Sequence, residues 1–472
     1  MNSTEFGGRV VFGADFGATD PTFHPVLDGS DCEVVEGSNQ GHGTQVAGAV
    51  GAATYGVAKN VTIHNVRVCN CDRTCPADVV TQGVDWVTGQ HIKPAVANMS
   101  IQLLSISTAV EKAIKKSIAE GVIYVVIAGN RGSDLDLNNR NAGNFTPSRV
   151  SQVITVASST RADSRESTSS TGSVVDMFSP GENTPSPVRT GTSDINDFFR
   201  GTSSAAPKVA GAVAMYLETD PTACPCTVSR VLADKATGGA ISDYDPNGFN
   251  TPNKLLYVPS SWPSPTYYSL SLNGTSGYVQ VPTDSGVVGL NITGWITIEG
   301  WIKLNSNTVE QGIIERYGTS DGGYALRVTS QGKLQFSNLI TSSNFDSVTG
   351  GITLQTGQWY HVAGVWGGLT MRVYVNGQLD TSKSSTFAPG SGASPLYIGR
   401  RASGGGYFNG LIDEAGVTAT WLYNPNFTPQ HRLTGTTKTK AVWRFDDQTA
   451  KECGGFNDGT LNGGAVFSTD VP

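Results

Sequence analysis

Two spacings of apolar residues divide this chain. Up to about residue 258, unbroken apolar runs such as Val122 to Ala128 alternate with Gly/Ala-rich stretches over 42–53 and 203–217. An unbroken run suits a strand buried on both faces, and the small-residue stretches read as the helices that cover it, which predicts a parallel α/β sheet. Residues 259–266, Pro-Ser-Ser-Trp-Pro-Ser-Pro-Thr, read as a linker. From Tyr267 onward apolar residues recur every second position, as in Ile296, Ile298 and Ile302, or Met371, Val373 and Val375, the latter followed by the hairpin signal Asn376-Gly377. That spacing predicts a two-sheet β-sandwich. The expected organisation is an α/β domain over 1–258, a linker over 259–266 and an all-β domain over 267–472. Trp295, Trp301, Trp359 and Trp366 are expected in the sandwich core, with a sugar platform as the alternative.

The candidate chemistry lies at element ends in the first domain. The apolar run ends at Gly129-Asn130, so Asn130 falls at a strand's carboxyl end, where open α/β sheets carry their sites. The two Gly/Ala-rich helices begin at His42, in Gly41-His42-Gly43-Thr44, and at Ser203, in Gly201-Thr202-Ser203. A serine hydroxyl becomes a nucleophile when a hydrogen-bonded imidazole takes its proton, and the oxyanion that follows needs a fixed donor such as an amide. His42, Ser203 and Asn130 fit those three roles. Each motif alone is weak, since Gly191-Thr192-Ser193 repeats the same tripeptide. Their order carries the signal.

In that order, the motifs make residues 5–258 resemble the subtilisin-like serine peptidases, and within them the proteinase K type. The resemblance also rests on Thr54-Tyr55-Gly56-Val57-Ala58-Lys59, Val175-Asp176-Met177-Phe178-Ser179-Pro180-Gly181 and Ala205-Ala206-Pro207-Lys208-Val209-Ala210-Gly211. It implies a subtilisin-like fold and hydrolysis of protein or peptide substrates through an acyl-enzyme, with His42 as general base, Ser203 as nucleophile and Asn130 as oxyanion donor. It implies a substrate channel along Ser100, Ile101, Gln102 and Gly129. It further implies a structural calcium ion at Asp176 with backbone carbonyls near Ser151 and Val153, the alternative being a strand-end aspartate bonded to backbone amides, together with a disulfide between Cys32 and Cys71 and export from the cell.

Some positions depart from the family. The triad aspartate normally closes a strand shortly before a segment like Glu5-Phe6-Gly7-Gly8-Arg9, so that strand is expected upstream of Met1, and the chain reads as beginning after it. Asp15 ends the strand Val10 to Asp15, but Gly8-Arg9 onward fits the family's next strand, so Asp15 reads as an ordinary strand-end acid. Loss of the orienting carboxylate lowers turnover by about 10⁴ in serine peptidases, so the chain by itself is expected to be nearly inactive. Ser100-Ile101-Gln102-Leu103 replaces Ser-Leu-Gly-Gly, which puts side chains where substrate backbone would lie. Ser204 and Lys208 replace a Met and a His that are not triad members.

Composition narrows the partners. With 472 residues, 57 glycines and 15% charged residues the chain suits two β-containing domains. A formal charge of −7 without a basic run excludes nucleic acid and anionic membrane as expected partners, and no apolar stretch is long enough to span a bilayer. The first residues contain no signal-peptide core. Of the seven cysteines, Cys69-Asn70-Cys71 and Cys224-Pro225-Cys226 are too closely spaced for zinc, leaving extra disulfides or free thiols as the reading.

The second domain resembles laminin-G-like or concanavalin-like jelly-roll modules through Leu272-Asn273-Gly274, Ile298-Glu299-Gly300-Trp301-Ile302, Gln358-Trp359-Tyr360-His361, Tyr374-Val375-Asn376-Gly377 and Gly410-Leu411-Ile412-Asp413-Glu414. The resemblance implies a glycan or protein-matrix ligand, in some modules through calcium, for which Asp413-Glu414 is the candidate acidic pair and a structural turn its alternative. Two functions follow: an exported serine endopeptidase tethered by its jelly roll, or a catalytically inactive binding or adhesion protein on a peptidase scaffold.

Overall fold

A computed structural model describes residues 4–16, 41–70, 74–188, 195–283, 289–318, 320–341, 343–436 and 438–472, and the chain divides into two compact units, 1–264 and 265–472. In chain order the first unit runs β1 (Val10–Asp15), α1 (His42–Gly51), β2 (Ile63–Arg67), α2 (Ala77–Gln90), β3 (Ala95–Met99), α3 (Thr108–Ala119), β4 (Val122–Ile127), α4 (Leu137–Arg140), β5 (Ile154–Ser159), β6 (Met177–Pro180), β7 (Thr184–Pro187), β8 (Ile195–Phe199), α5 (Thr202–Thr219), α6 (Pro225–Lys235), β9 (Thr237–Gly238) and β10 (Lys254–Leu255). Its main sheet has the order β3-β4-β5-β6-β10-β9, parallel except where β9 meets β10. β1 and β2 form a separate parallel pair, and β7 and β8 an antiparallel ribbon.

All six residues of β4 are buried, because both its faces are covered. Ile123, Val125 and Ile127 join a core with Ala205, Ala206, Val209, Ala210 and Val213 of α5, whose small side chains let the helix lie close to the sheet. On the other face the Tyr124 hydroxyl donates to Ser117 Oγ of α3 at 2.9 Å. α5 begins at Thr202, one residue earlier than the pattern suggests, so Ser203 is its second residue. Pro207 lies inside this helix and has no N–H for the carbonyl four residues back, which is that of Ser203. That carbonyl accepts instead from Ser100 Oγ at 3.2 Å, tying the segment after β3 to the head of α5. Trp262, expected in the linker, is 8% exposed and packs edge-on against Tyr216 at 5.5 Å, so it belongs to the core of the first unit.

The second unit is built of two antiparallel sheets. One runs Gln378–Ser384, Thr370–Val375, Trp359–Gly367, Ile296–Leu304, Asn409–Thr418, Ser269–Asn273 and Val466–Ser468, with Thr439–Trp443 also paired to Asn409–Thr418. The other runs Asn344–Thr353, Lys333–Thr341, Gly323–Val328, Gln311–Arg316, Leu396–Ile398, Tyr278–Val281 and Thr460–Asn462. The expected hairpin turn falls at Asn376 and Gly377, both at positive φ. Ile296, Ile298 and Ile302 face the core together with Phe336, Val362 and Trp443.

The tryptophans require correction. Of the four expected in that core, Trp366 is there. Trp301 is buried on the opposite face of its strand, where it stacks on His431 and donates to the Gln430 carbonyl at 3.0 Å. Trp359 is half-buried and donates to Asp470, while Trp295 is 54% exposed. Period-two spacing alone does not show that the chain returns over one sheet face and buries alternate residues there. Asp413 and Glu414 are also buried; Glu414 pairs with Arg432 and Arg444 at 3.2 and 3.4 Å, and burial together with the neighbouring carboxylates raises the Asp413 carboxyl well above its usual range. This acidic pair is part of an internal ion-pair network.

Candidate active site

Asn130 lies three residues beyond the end of β4, after Gly129, whose φ of +104° turns the chain out of the sheet. Its Oδ1 accepts twice from Thr202, from the backbone N–H and from Oγ1, each at 2.9 Å. With the oxygen so held, the Nδ2 hydrogens are directed away from Thr202. Asn130 itself is exposed.

Ser203 follows Thr202 and is 8% exposed. The N-cap of its helix is Gly201, with φ of 88° and no capping side chain. The Gly201 amide instead donates to the Gly181 carbonyl at 3.0 Å and to Glu166 Oε2 at 3.1 Å, while the Ser158 hydroxyl donates to the same Glu166 oxygen at 2.6 Å. Glu166 therefore holds the turn that leads into Ser203. No motif signalled it, because its partners are distant in sequence. Behind Ser203, Ser204 and Thr184 share a 2.6 Å hydroxyl contact, and Lys208 Nζ donates to Ser204 O and Oγ at 2.8 and 2.9 Å. Burial pushes the Lys208 ammonium down to about 7.

His42 opens α1, whose N-cap Gly41 also has positive φ, at 60°. α1 packs against α5, and the His42 ring meets Phe199 edge-on at 6.0 Å, four residues before Ser203. Asp15 is held by a strand neighbour. At the end of β1 it lies opposite Arg67 of β2 and forms an ion pair with it at 2.9 Å.

Ser100 is held on two sides, accepting from Asn98 Nδ2 at 3.0 Å and donating to the Ser203 carbonyl. Ile101 and Gln102 are half-buried, and the Leu103 amide donates to Thr146 O at 2.8 Å. The amide of Gln102 lies over Gly129.

Asp176 lies immediately before β6, where its Oδ2 accepts from the Thr155 amide at 2.7 Å. Burial pushes this carboxyl up to about 7, opposed by the Thr155 hydrogen bond and the charge of Lys254. Among the described residues no three His, Cys, Asp or Glu side chains come together to hold a metal. The observed contact is that of a strand-end aspartate bonded to a backbone amide; a cation bound there would ionise a carboxyl whose charge burial disfavours. The expected Cys32–Cys71 disulfide lies outside the described residues. Cys69 is bonded to Cys75, a pairing the sequence left open.

The first unit is thus a parallel α/β protein with a serine at the head of a helix and an asparagine amide beyond a strand end. Residues 22–256 match the subtilase family, and residues 273–422 match the concanavalin A-like lectin/glucanases superfamily. The chain belongs to the subtilases and carries a concanavalin A-like domain after its peptidase-type domain. It is 40% identical over 259 residues to an extracellular serine proteinase of Thermus sp. (strain Rt41A), covering 55% of this chain and 57% of that protein. It is 38% identical over 253 residues to alkaline serine exoprotease A of Vibrio alginolyticus, covering 54% and 42%. The crystal structure of a cold adapted subtilisin-like serine proteinase is 40% identical and matches 55% of this chain and 85% of that one, with a TM-score of 0.48. The chain spans about half the length of these two curated relatives. No helix among the described residues is long and apolar enough to cross a membrane.

Proposed function

We propose that the first unit is an exported serine endopeptidase that cleaves protein or peptide substrates through an acyl-enzyme. His42 is the general base, Ser203 the nucleophile and Asn130 the oxyanion donor. The observation that carries this reading is the double hydrogen bond from Thr202 to Asn130 Oδ1, which aims the Nδ2 donors from the residue next to the nucleophile. In the reaction the Ser203 proton passes to His42 as Oγ attacks the substrate carbonyl, and the same proton is later given to the leaving amine. Asp15, ion-paired with Arg67, is read as an ordinary strand-end acid; rapid stoichiometric labelling of Ser203 would instead favour it as the orienting carboxylate.

The test is covalent labelling with a fluorophosphonate. Label at Ser203, slow without an orienting carboxylate, lost in Ser203→Ala and slowed about a further 10²-fold in Asn130→Ala, is the expected result. Labelling of Asn130→Ala at the unaltered rate would remove Asn130 from the mechanism. A competing reading, a catalytically silent binding protein, draws on the Gln102 amide that fills space over Gly129; absence of label at Ser203 would favour it.

We also propose a structural calcium ion at Asp176, and a glycan or matrix ligand for the second unit. The exposed Trp295, edge-on to Trp421 at 6.3 Å with the Arg372 guanidinium 4.8 Å over the Trp421 ring, offers an aromatic face suited to a sugar ring.

A further inference from the structure

Productive attack places the substrate carbonyl between Ser203 Oγ and Asn130 Nδ2, so the side chain of the residue that bears this carbonyl emerges a few bond lengths away. The walls available there are the residue before Asn130, which is Gly129, and the segment Ser100–Leu103, whose first residue is bonded to the Ser203 carbonyl. Gly129 has no side chain, and the space in front of it is already taken. A Cβ atom built there would lie 2.4 Å from Gln102 Nε2 and 2.7 Å from Oε1. Gln102 Nε2 is shielded from solvent and has no hydrogen-bond partner. A buried donor without an acceptor is unfavourable until a ligand brings one. The neighbouring residues are fixed, Ser100 by two hydrogen bonds and Leu103 by Thr146, so the Gln102 side chain is the adjustable part of this wall.

We propose that Gln102 sets the specificity of the site: its amide closes the space over Gly129 to large side chains and donates from Nε2 to an oxygen on a short one. The substrate class is a polypeptide cleaved after a small residue or after asparagine, with asparagine favoured over leucine of similar size. The inference rests on the peptidase reading above.

Two variants separate bulk from hydrogen bonding, each checked for an unaltered circular dichroism spectrum. kcat/KM is measured on peptides that differ only in Ala, Asn, Leu or Phe before the cleaved bond. Gln102→Gly removes the obstruction and should raise the Phe-to-Ala ratio by about tenfold or more. Gln102→Leu keeps the bulk without the donor, and should lower the Asn-to-Leu ratio by about tenfold while holding the Phe-to-Ala ratio within about twofold. Unchanged ratios in both variants, with Ser203 still labelled by a fluorophosphonate, would overturn this inference and leave the peptidase reading standing. No label at Ser203 in the unaltered chain would overturn both.

Discussion

The calcium site proposed at Asp176 would link metal binding to stability through a single carboxyl. That carboxyl sits at about 7 in the folded chain against 3.8 for an unperturbed aspartate. A raised folded value means that the unfolded chain loses its proton first, so stability is fullest below about pH 4 and declines as pH rises through about 7. A divalent cation reverses this by favouring the ionised form. With calcium removed by a chelator at pH 8, the first unit should melt several degrees lower, and Asp176→Asn should abolish most of the difference between calcium-loaded and chelated protein. A full calcium shift in Asp176→Asn, read by calorimetry, would place the ion elsewhere. Asn130, Ser203 and His42 could be nominated at this scale because each sits in a short motif at a predicted element end. Glu166 and the orientation of the Asn130 amide were not, because they depend on hydrogen bonds between segments far apart in sequence.

At the scale of the element, α5 combines two conflicting demands. Its small residues allow close packing on the sheet, yet Pro207 removes a backbone donor and Lys208 sets an ammonium on buried Ser204. Pro207 frees the Ser203 carbonyl for Ser100, so the irregularity couples the helix to the segment after β3. Lys208 is held down to about 7 by burial against 10.5 in an unfolded chain. Between those values the unfolded state binds more protons, so this lysine opposes folding most strongly at and below about pH 7, and the penalty fades as pH rises toward about 10.5. Lys208→Met should therefore raise the melting temperature by roughly 5 °C at pH 7, with a gain that shrinks toward pH 10. A gain of equal size at both pH values would show that packing rather than charge is responsible. The helix itself was readable from spacing. Its head was displaced by one residue, because Thr202 is drawn into the first turn by its bonds to Asn130.

For the whole molecule, the two units call for different tests. In the second, the exposed Trp295 belongs with Trp421 and Arg372 to one aromatic surface, whereas Trp366 and Trp443 fill the core. Trp295→Ala should weaken binding of an oligosaccharide ligand identified on a glycan array by about tenfold, consistent with the loss of one stacking face, without lowering the melting temperature. Equal affinity in the variant would move the ligand to another face.

The sequence by itself determined the class of each unit and the residues available for chemistry, because hydrophobic spacing and element-end motifs are local properties of the chain. It also carried the change from continuous to alternating apolar positions that separates a two-faced parallel sheet from a sandwich. Only the tertiary structure decided that Asp15 pairs with Arg67, that Trp295 faces solvent while Trp301 is covered, and that Gln102 occupies the space over Gly129. Each of these depends on which distant segment closes over a side chain, and burial and charge pairing are set by that contact rather than by the residue's neighbours in sequence.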